Sequence, residues 1–305
     1  MAVYEQSYKP FTGALTPAWS RFLILPRHAY RAVFQSKLFV AFFVACFIAP
    51  LGFSGAIYLK HNVAALAILQ ATVGDLVPID GDFFYYFMLA QGTMAYFLTV
   101  LVGPPLVSRD LTNNALPLYL ARPFSKVEYV GGKAAVLLIL QSLVTWVPGL
   151  LLFFFQAYLE GWGWLKANWW IGVALWCGSW IWMILLTLLA LSVSSLLKWR
   201  TVATGALVAL FFVPSAFAAI INEMFMTRLG HLIDLNSLIK AAWQGLFRNF
   251  NPQTGSQIIR QGRRVVQEIP IYEPPLWASW LMLFAICAVC LLILSRKVRA
   301  YEVVK

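Results

Sequence analysis

Hydrophobic and polar positions in this chain fall in long blocks, not at the short spacings of half-buried helices or strands. Six blocks are apolar almost throughout: Leu38–Leu59, Phe84–Val107, Ala134–Tyr158, Trp169–Leu197, Val202–Ile221 and Leu276–Leu294. None of them contains Lys, Arg, Asp or Glu. About 20 apolar residues in a helix cross the ~30 Å hydrocarbon layer of a bilayer. A lipid-embedded segment must also satisfy its backbone polar groups internally, which a helix does by itself. The pattern therefore predicts an all-α integral membrane protein with six transmembrane helices. It divides into a tail, residues 1–37, and a six-span domain, residues 38–305, with long connections at 108–133 and 222–275.

Two segments outside the blocks have helical patterning. In the tail, Thr16 and Pro17 suit an N-cap and a first helical position. Trp19, Phe22, Leu23, Tyr30, Val33 and Phe34 then recur on one face, with Arg21, Arg27, His28, Arg31 and Gln35 elsewhere. This predicts a basic amphipathic helix on the membrane surface, kinked at Pro26. Residues 224–250 mix Met224, Phe225, Leu238, Ile239, Trp243 and Phe247 with charges. They read as an interfacial or partly re-entrant helix. Residues 251–275 are polar and end in Pro270, Pro274 and Pro275, as expected of a lobe outside the membrane.

Charge sets the orientation. The N-tail, the 108–133 connection, the Lys198–Thr201 turn and the C-tail carry Lys9, Arg21, Arg27, Arg31, Lys37, Arg109, Arg122, Lys126, Lys133, Lys198, Arg200, Arg296, Lys297, Arg299 and Lys305. The short loops of the other side hold Lys60 and Lys166, with Asp75, Asp80, Asp82 and Glu160. By the positive-inside rule both termini are cytoplasmic, and the 222–275 segment before the last span is extracytoplasmic. That segment runs against the rule with Arg228, Lys240, Arg248, Arg260, Arg263 and Arg264, although long loops follow it only partly. No secretory leader is expected, because the first apolar run starts near Leu38 and is longer than a leader's core.

Composition agrees with this reading: 61% of residues are hydrophobic and 11% charged, against about a quarter charged in soluble domains. The net charge of +11 sits at the ends of the apolar blocks, so it reads as topology bias and no nucleic-acid partner is implied. Cys46, Cys177, Cys287 and Cys290 all lie in apolar runs. The Cys287-x-x-Cys290 pair has no further ligand nearby and reads as packing, since an apolar setting makes a thiol inert. His28, His61 and His231 are far apart, which leaves no metal spacing. No G-x-S-x-G elbow occurs. Gly131-Gly132-Lys133 lacks the earlier glycine of a phosphate loop, since Val127 holds that place, and Ala134 follows where Ser or Thr is required. With no ionisable group inside a predicted span, an ion-coupled carrier is disfavoured.

The most informative stretch connects the second and third spans. It reads Ser108-Arg109-Asp110, then Ala115-Leu116-Pro117-Leu118-Tyr119-Leu120, Arg122-Pro123, Ser125, Glu128-Tyr129 and Gly132-Lys133. Its apolar middle is too short to cross a bilayer, and Pro123 and the glycine pair break helices. A short helix below the bilayer, exposing apolar residues, suits a docking partner. This stretch resembles the signature of the permease subunits of ABC-2 type ATP-binding cassette exporters. The basic turn Leu191–Arg200, the amphipathic tail, the six spans and the long segment before the last span are similar to that family across the whole chain. Asp110 stands where many members carry Glu, and Asn113-Asn114 where a Gly-Thr pair is common.

The resemblance implies a non-enzymatic permease subunit of a bacterial plasma or inner membrane. It would pair with a second permease copy or a paralogue and dock two copies of a separate ABC ATPase. No cofactor would sit in this chain; ATP and Mg would be bound by the ATPase. The 108–133 connection would be the coupling loop, with Arg109, Asp110, Leu116, Tyr119, Arg122 and Glu128 meeting the ATPase. Gln91, Thr93, Tyr96, Thr99, Thr201, Thr204 and Asn222, polar residues of the second and fifth spans, are candidates for the substrate path. A neutral, aromatic-rich bundle suits lipid-like, amphipathic or polymer cargo. Two other readings stay open. One is a membrane scaffold or mechanotransmission subunit working an extracytoplasmic partner through residues 251–275. The other is a lipid-acting enzyme using Glu223, His231 and Asp234.

Overall fold

The computed structural model describes residues 24–62, 78–113, 126–225, 229–249, 256–261, 264–270 and 275–297. It has six helices or helix pairs long and apolar enough to cross a membrane: Lys37–His61, Gly81–Ser108, Val127–Glu160, Trp162–Leu196, Arg200–Phe225 and Leu276–Lys297. They coincide with the six apolar blocks and extend past them, because polar residues at the ends continue the same helices. The chain is thus a multi-pass membrane protein by its helices.

The first span is two helices, α2 (Lys37–Ala45) and α3 (Ile48–His61), and α1 (Ile24–Phe34) precedes it. The second span is α4 (Gly81–Thr112); the third is α5 (Lys126–Val144) followed by α6 (Trp146–Glu160). The fourth and fifth are α7 (Trp162–Leu196) and α8 (Arg200–Phe225). A single 3-10 turn, Leu229–Leu232, leads to α9 (Leu235–Phe247). Strands β1 (Ser256–Gln261) and β2 (Arg264–Pro270) precede the sixth span, α10 (Leu276–Lys297).

Proline explains where helices restart. Pro50 and Pro148 each occupy the third position of their helix. In a first turn the missing N–H has no intrahelical acceptor to lose. Thr16, Pro17 and the other residues before Ile24 lie outside the described residues, and the kink expected at Pro26 falls at that border. Pro104 and Pro105 lie inside α4 and leave backbone carbonyls of the preceding turn without their usual donors.

The second, third and fourth spans form the core, with 56%, 56% and 61% of their apolar windows buried; the first, fifth and sixth are peripheral, at 17%, 17% and 22%. α4 and α7 approach closely: a Cβ added at Gly103 would stand 2.7 Å from the Ala190 methyl. Inside this core a neutral polar bridge joins three helices. Gln141 Nε2 of α5 donates to Thr99 Oγ1 of α4 at 2.6 Å, and Thr187 Oγ1 of α7 donates to Gln141 Oε1 at 3.3 Å. All three residues are buried.

α9 resolves the two readings of residues 224–250. It packs against α4, α7, α8 and α10 and buries Leu235, Leu238, Ile239, Ala242, Trp243 and Phe247, so it is inserted among the spans. Asp234 caps it, accepting from the N–H groups of Asn236 and Ser237. Trp243 Nε1 donates 3.1 Å to the carbonyl of Gly178, midway along the 35-residue α7. Trp182 Nε1 of α7 donates 2.8 Å to the carbonyl of Gly92 in α4, and the two indoles meet edge to face at 5.8 Å. Beyond α9, β1 and β2 pair antiparallel from Ser256–Pro270 to Gln261–Arg264, with an irregularity between Ile259 and Arg260. Apart from this short hairpin the described secondary structure is helical, as the all-α reading expects.

α1 is amphipathic as expected, and its apolar face meets protein. Pro26 is buried, Ala29, Tyr30 and Val33 pack on the core, and Arg27, His28 and Arg31 are exposed. The Tyr30 hydroxyl donates to the carbonyls of Ala135 and Val136 in α5, at 3.3 and 3.2 Å. Burial pushes its phenol up to about 12, so it remains a donor at any ordinary pH.

The Trp182–Trp243 pair yields a test. A Cβ at Gly92 would collide with Trp243 Cη2, on a ring that its own hydrogen bond holds in place, whereas a Cβ at Gly205 of α8 meets nothing within 4 Å. Overpacking typically costs about 1–3 kcal/mol. Gly92→Ala is expected to lower the unfolding free energy by that amount in detergent melts, while Gly205→Ala leaves it unchanged or slightly raised.

Candidate functional site

The 108–133 connection leaves α4 and returns in α5, and both of its ends are fastened. Asp110, near the end of α4, accepts at Oδ2 from the Tyr129 hydroxyl at 2.7 Å and pairs through the same oxygen with Lys133 Nζ at 2.8 Å. Tyr129 and Lys133 are one helical turn apart in α5, so both face α4. Lys133 Nζ also lies 5.7 Å from the Tyr129 ring centroid. Tyr129 and Lys133 are buried and Asp110 is partly so. A phenol and an ammonium, both donors, thus converge on one carboxylate, and each offsets part of the cost of burying it.

The other side of α4 is sewn to α7. Pro104 and Ser108 stand where a helical N–H-to-carbonyl bond would form, and Ser194 of α7 inserts between them. Ser108 N–H donates to Ser194 Oγ at 3.0 Å, and Ser194 Oγ donates to the Pro104 carbonyl at 2.6 Å. The Ser108 hydroxyl reaches the same carbonyl at 2.7 Å. One turn on, Thr112 Oγ1 bonds the carbonyls of Ser108 and of Lys198, at 2.9 and 2.7 Å. A side chain entering a helical ladder is a recognised way to bend a helix. Here it ties the turn after the fourth span to the start of the connection.

Among the residues read as docking positions, Leu116, Tyr119 and Arg122 lie outside the described residues, as does the side chain of Arg109. Asp110 is turned inward to Tyr129 and Lys133. Glu128 is partly buried in the first turn of α5, where a carboxylate is favoured by the helix N-terminus.

The substrate-path residues do not form one surface. Gln91 is buried and donates 3.1 Å to the Cys46 carbonyl of the first span. Thr99 belongs to the Gln141 bridge. Thr201 and Thr204 sit in the first turns of α8, far along that helix from Asn222. Asn222 Oδ1 accepts from Gly230 N–H at 2.9 Å and so holds the turn before α9. Thr93 and Tyr96 do come together, in a groove of about 210 Å³ between α4, α7, α8 and α9. Phe97, Phe211, Phe212, Trp182 and Trp243 line it, with Asn236 and the exposed Lys240 as its other polar members. The Tyr96 hydroxyl is buried without a hydrogen-bond partner.

Two of the three residues read for lipid chemistry hold the start of α9. Ser237 Oγ donates to Asp234 at 2.6 Å, and His231 Nδ1 lies 3.1 Å from Ser237 Oγ, so both support the cap of α9, while Glu223 is exposed. Among the described residues, no group of three or more His, Cys, Asp and Glu side chains is placed to hold a metal ion. Cys287 and Cys290 are free thiols, and Ser192 Oγ approaches Cys290 Sγ at 3.5 Å.

Sequence reasoning passed over Tyr129, Lys133, Ser194 and the tryptophan pair as site residues. The available signal was a Tyr and a Lys four apart at the mouth of a span, and glycines in otherwise bulky helices. No protein-family model matches the chain, and no curated protein matches it either.

The Asp110–Lys133 pair can be tested directly. Asp110→Asn strands a buried ammonium and Lys133→Met a largely buried carboxylate; breaking such a pair costs roughly 3–5 kcal/mol. Each variant is expected to lose stability on that scale in denaturant unfolding. The double variant Asp110→Asn/Lys133→Met should recover most of the loss, whereas losses that simply add would show that the two groups do not interact.

Proposed function

We propose that the chain is the transmembrane permease subunit of an ATP-driven ABC exporter of the ABC-2 type, acting beside a separate ATPase. One observation carries the reading. Three polar positions of the signature, Asp110 at the end of α4 and Tyr129 and Lys133 at the start of α5, meet at a single carboxylate oxygen. The signature then has a physical purpose: it braces both ends of a connection whose middle, around Leu116 and Tyr119, is left to meet a partner.

In this reading the braced end of the bundle is cytoplasmic, and two ATPase copies bind there while a second permease copy or paralogue completes the transporter. ATP and Mg belong to the ATPase, and this chain supplies no residue to them. Force on the 108–133 connection passes into α5 through Asp110 and into α7 through Ser194 and Thr112. The cargo path uses the groove at Thr93 and Tyr96. Its aromatic lining with few polar groups supports a lipid-like or amphipathic cargo better than a small ion, since such pockets are mostly apolar with a few orienting polar groups. The membrane would be the plasma or inner membrane of a bacterium.

The reading is tested by co-expressing the chain with an ABC ATPase encoded beside its gene and purifying the complex in detergent. The ATPase is expected to copurify and turn over ATP, and a Leu116→Asp/Tyr119→Asp double variant to lose it while remaining folded. A wild-type chain that purifies free of any ATPase would overturn the exporter reading and favour a scaffold acting on an extracytoplasmic partner.

A further inference from the structure

The groove that holds Thr93 and Tyr96 lies at mid-height of the bundle. Thr93 and Tyr96 stand near the middle of α4, Trp182 near the middle of α7, and Phe211 and Phe212 at the middle of α8. α9 closes the groove from a fourth side, and its Lys240 is exposed there. Lys240 lies outside the six apolar blocks in sequence, yet the insertion of α9 carries its ammonium to the depth of the span centres. Among the described residues it is the one charged side chain lining the groove, and no carboxylate pairs with it; the two ion pairs are Lys133–Asp110 and His61–Glu160. A cation at membrane depth is expensive and marks a functional site by default.

The other polar groups of the groove divide into used and unused donors. Trp182 and Trp243 give their N–H groups to the carbonyls of Gly92 and Gly178, and the Thr93 hydroxyl donates 2.9 Å to the Leu89 carbonyl. Tyr96 is 7% exposed, and its hydroxyl is buried without a hydrogen-bond partner. A buried hydroxyl left unbonded is destabilising. Asn236 lies one turn before Lys240 on the same face of α9. An ammonium, an amide and a phenol are thus the donors that face one space, and the remaining walls are apolar. At about 210 Å³ that space is smaller than the ~300–1,000 Å³ pockets that engulf a drug-sized ligand. It takes one end of a molecule whose remainder lies along the exposed rings of Phe97 and Phe212.

We propose that the groove binds a single-chain amphiphile by its anionic headgroup, with Lys240 selecting for charge. Asn236 and Tyr96 donate to the headgroup oxygens, and the hydrocarbon chain covers Phe97 and Phe212. A neutral lipid would leave the ammonium unpaired, and a small inorganic anion would leave the aromatic walls uncovered. That this amphiphile is cargo rests on the exporter reading; that it binds does not.

Dibromostearate is the probe, because its bromines quench nearby tryptophan fluorescence and Trp182 and Trp243 line the groove. The purified full-length protein, in nanodiscs of zwitterionic phosphatidylcholine, is titrated in alkaline buffer, where the carboxylate is ionised. Methyl dibromostearate, the same chain without the charge, reports partition into the bilayer alone. The acid is expected to quench saturably and more strongly than the ester. Lys240→Met should weaken this binding roughly tenfold, the scale of a charged hydrogen bond, and Tyr96→Phe about threefold. Lys240→Arg should retain it, which separates charge from packing. Equal quenching by acid and ester would overturn the site, as would a Lys240→Met protein that binds like wild type. Should a variant fail to fold, the acid and ester compared on wild type still decide. Charge-selective binding by a chain that copurifies with no ATPase would keep the site and remove its export role. Copurification without charge-selective binding would overturn the site and leave the exporter reading standing.

Discussion

The bundle depends on how closely α4 and α7 approach one another. Glycine at 103 against alanine at 190 brings the two backbones together, and dispersion contacts between small residues are what hold helices in lipid, where no hydrophobic drive remains between them. That closeness lets side chains of α7 reach backbone atoms of α4. Trp182 reaches the carbonyl of Gly92, and Ser194 reaches the carbonyl of Pro104. The same approach puts Thr187 in range of the Gln141 amide. Polar groups that would be expensive in hydrocarbon are thereby satisfied within the protein.

From this contact the two ends of the bundle diverge in chemistry. At the basic end, charge is drawn inward and paired at Asp110 and Lys133, and the connection between the second and third spans is held from two sides. Away from it, α9 is lodged between spans by an indole hydrogen bond from Trp243 to the Gly178 carbonyl, and the end of the first span meets the third in a histidine–carboxylate contact. The brace at the basic end combines an ion pair, a phenol and an inserted serine, and the opposite end relies on aromatic packing and a histidine–carboxylate contact.

Legibility in the sequence followed the length of the signal. Apolar runs of around twenty residues are explicit, and all six appear as helices. The insertion of α9 was only one of two readings, because an amphipathic pattern gives the apolar face without saying whether lipid or protein covers it. The hairpin at 256–270 was invisible as structure in a stretch recognised only as polar. The docking signature was legible as a motif, yet the role of its polar members was not: Asp110 looked like a partner contact and is turned toward Tyr129 and Lys133. Of the polar residues of the second span, Gln91 and Thr99 bond to neighbouring helices, and only Thr93 and Tyr96 reach the groove. A helical wheel cannot make that distinction when every neighbour is apolar.

The sequence by itself determined that this chain folds in a membrane, how many times its helices can cross and which ends carry the positive charge. These are properties of single segments, set by transfer of side chains to lipid and by backbone geometry. The tertiary structure decided which polar groups meet: Ser194 with the Pro104 carbonyl, Gln141 with Thr99, Asp110 with Lys133, and His61 with Glu160. Such contacts join residues from 23 to 99 positions apart. They exist only once close helix packing has brought those positions within a hydrogen bond's reach.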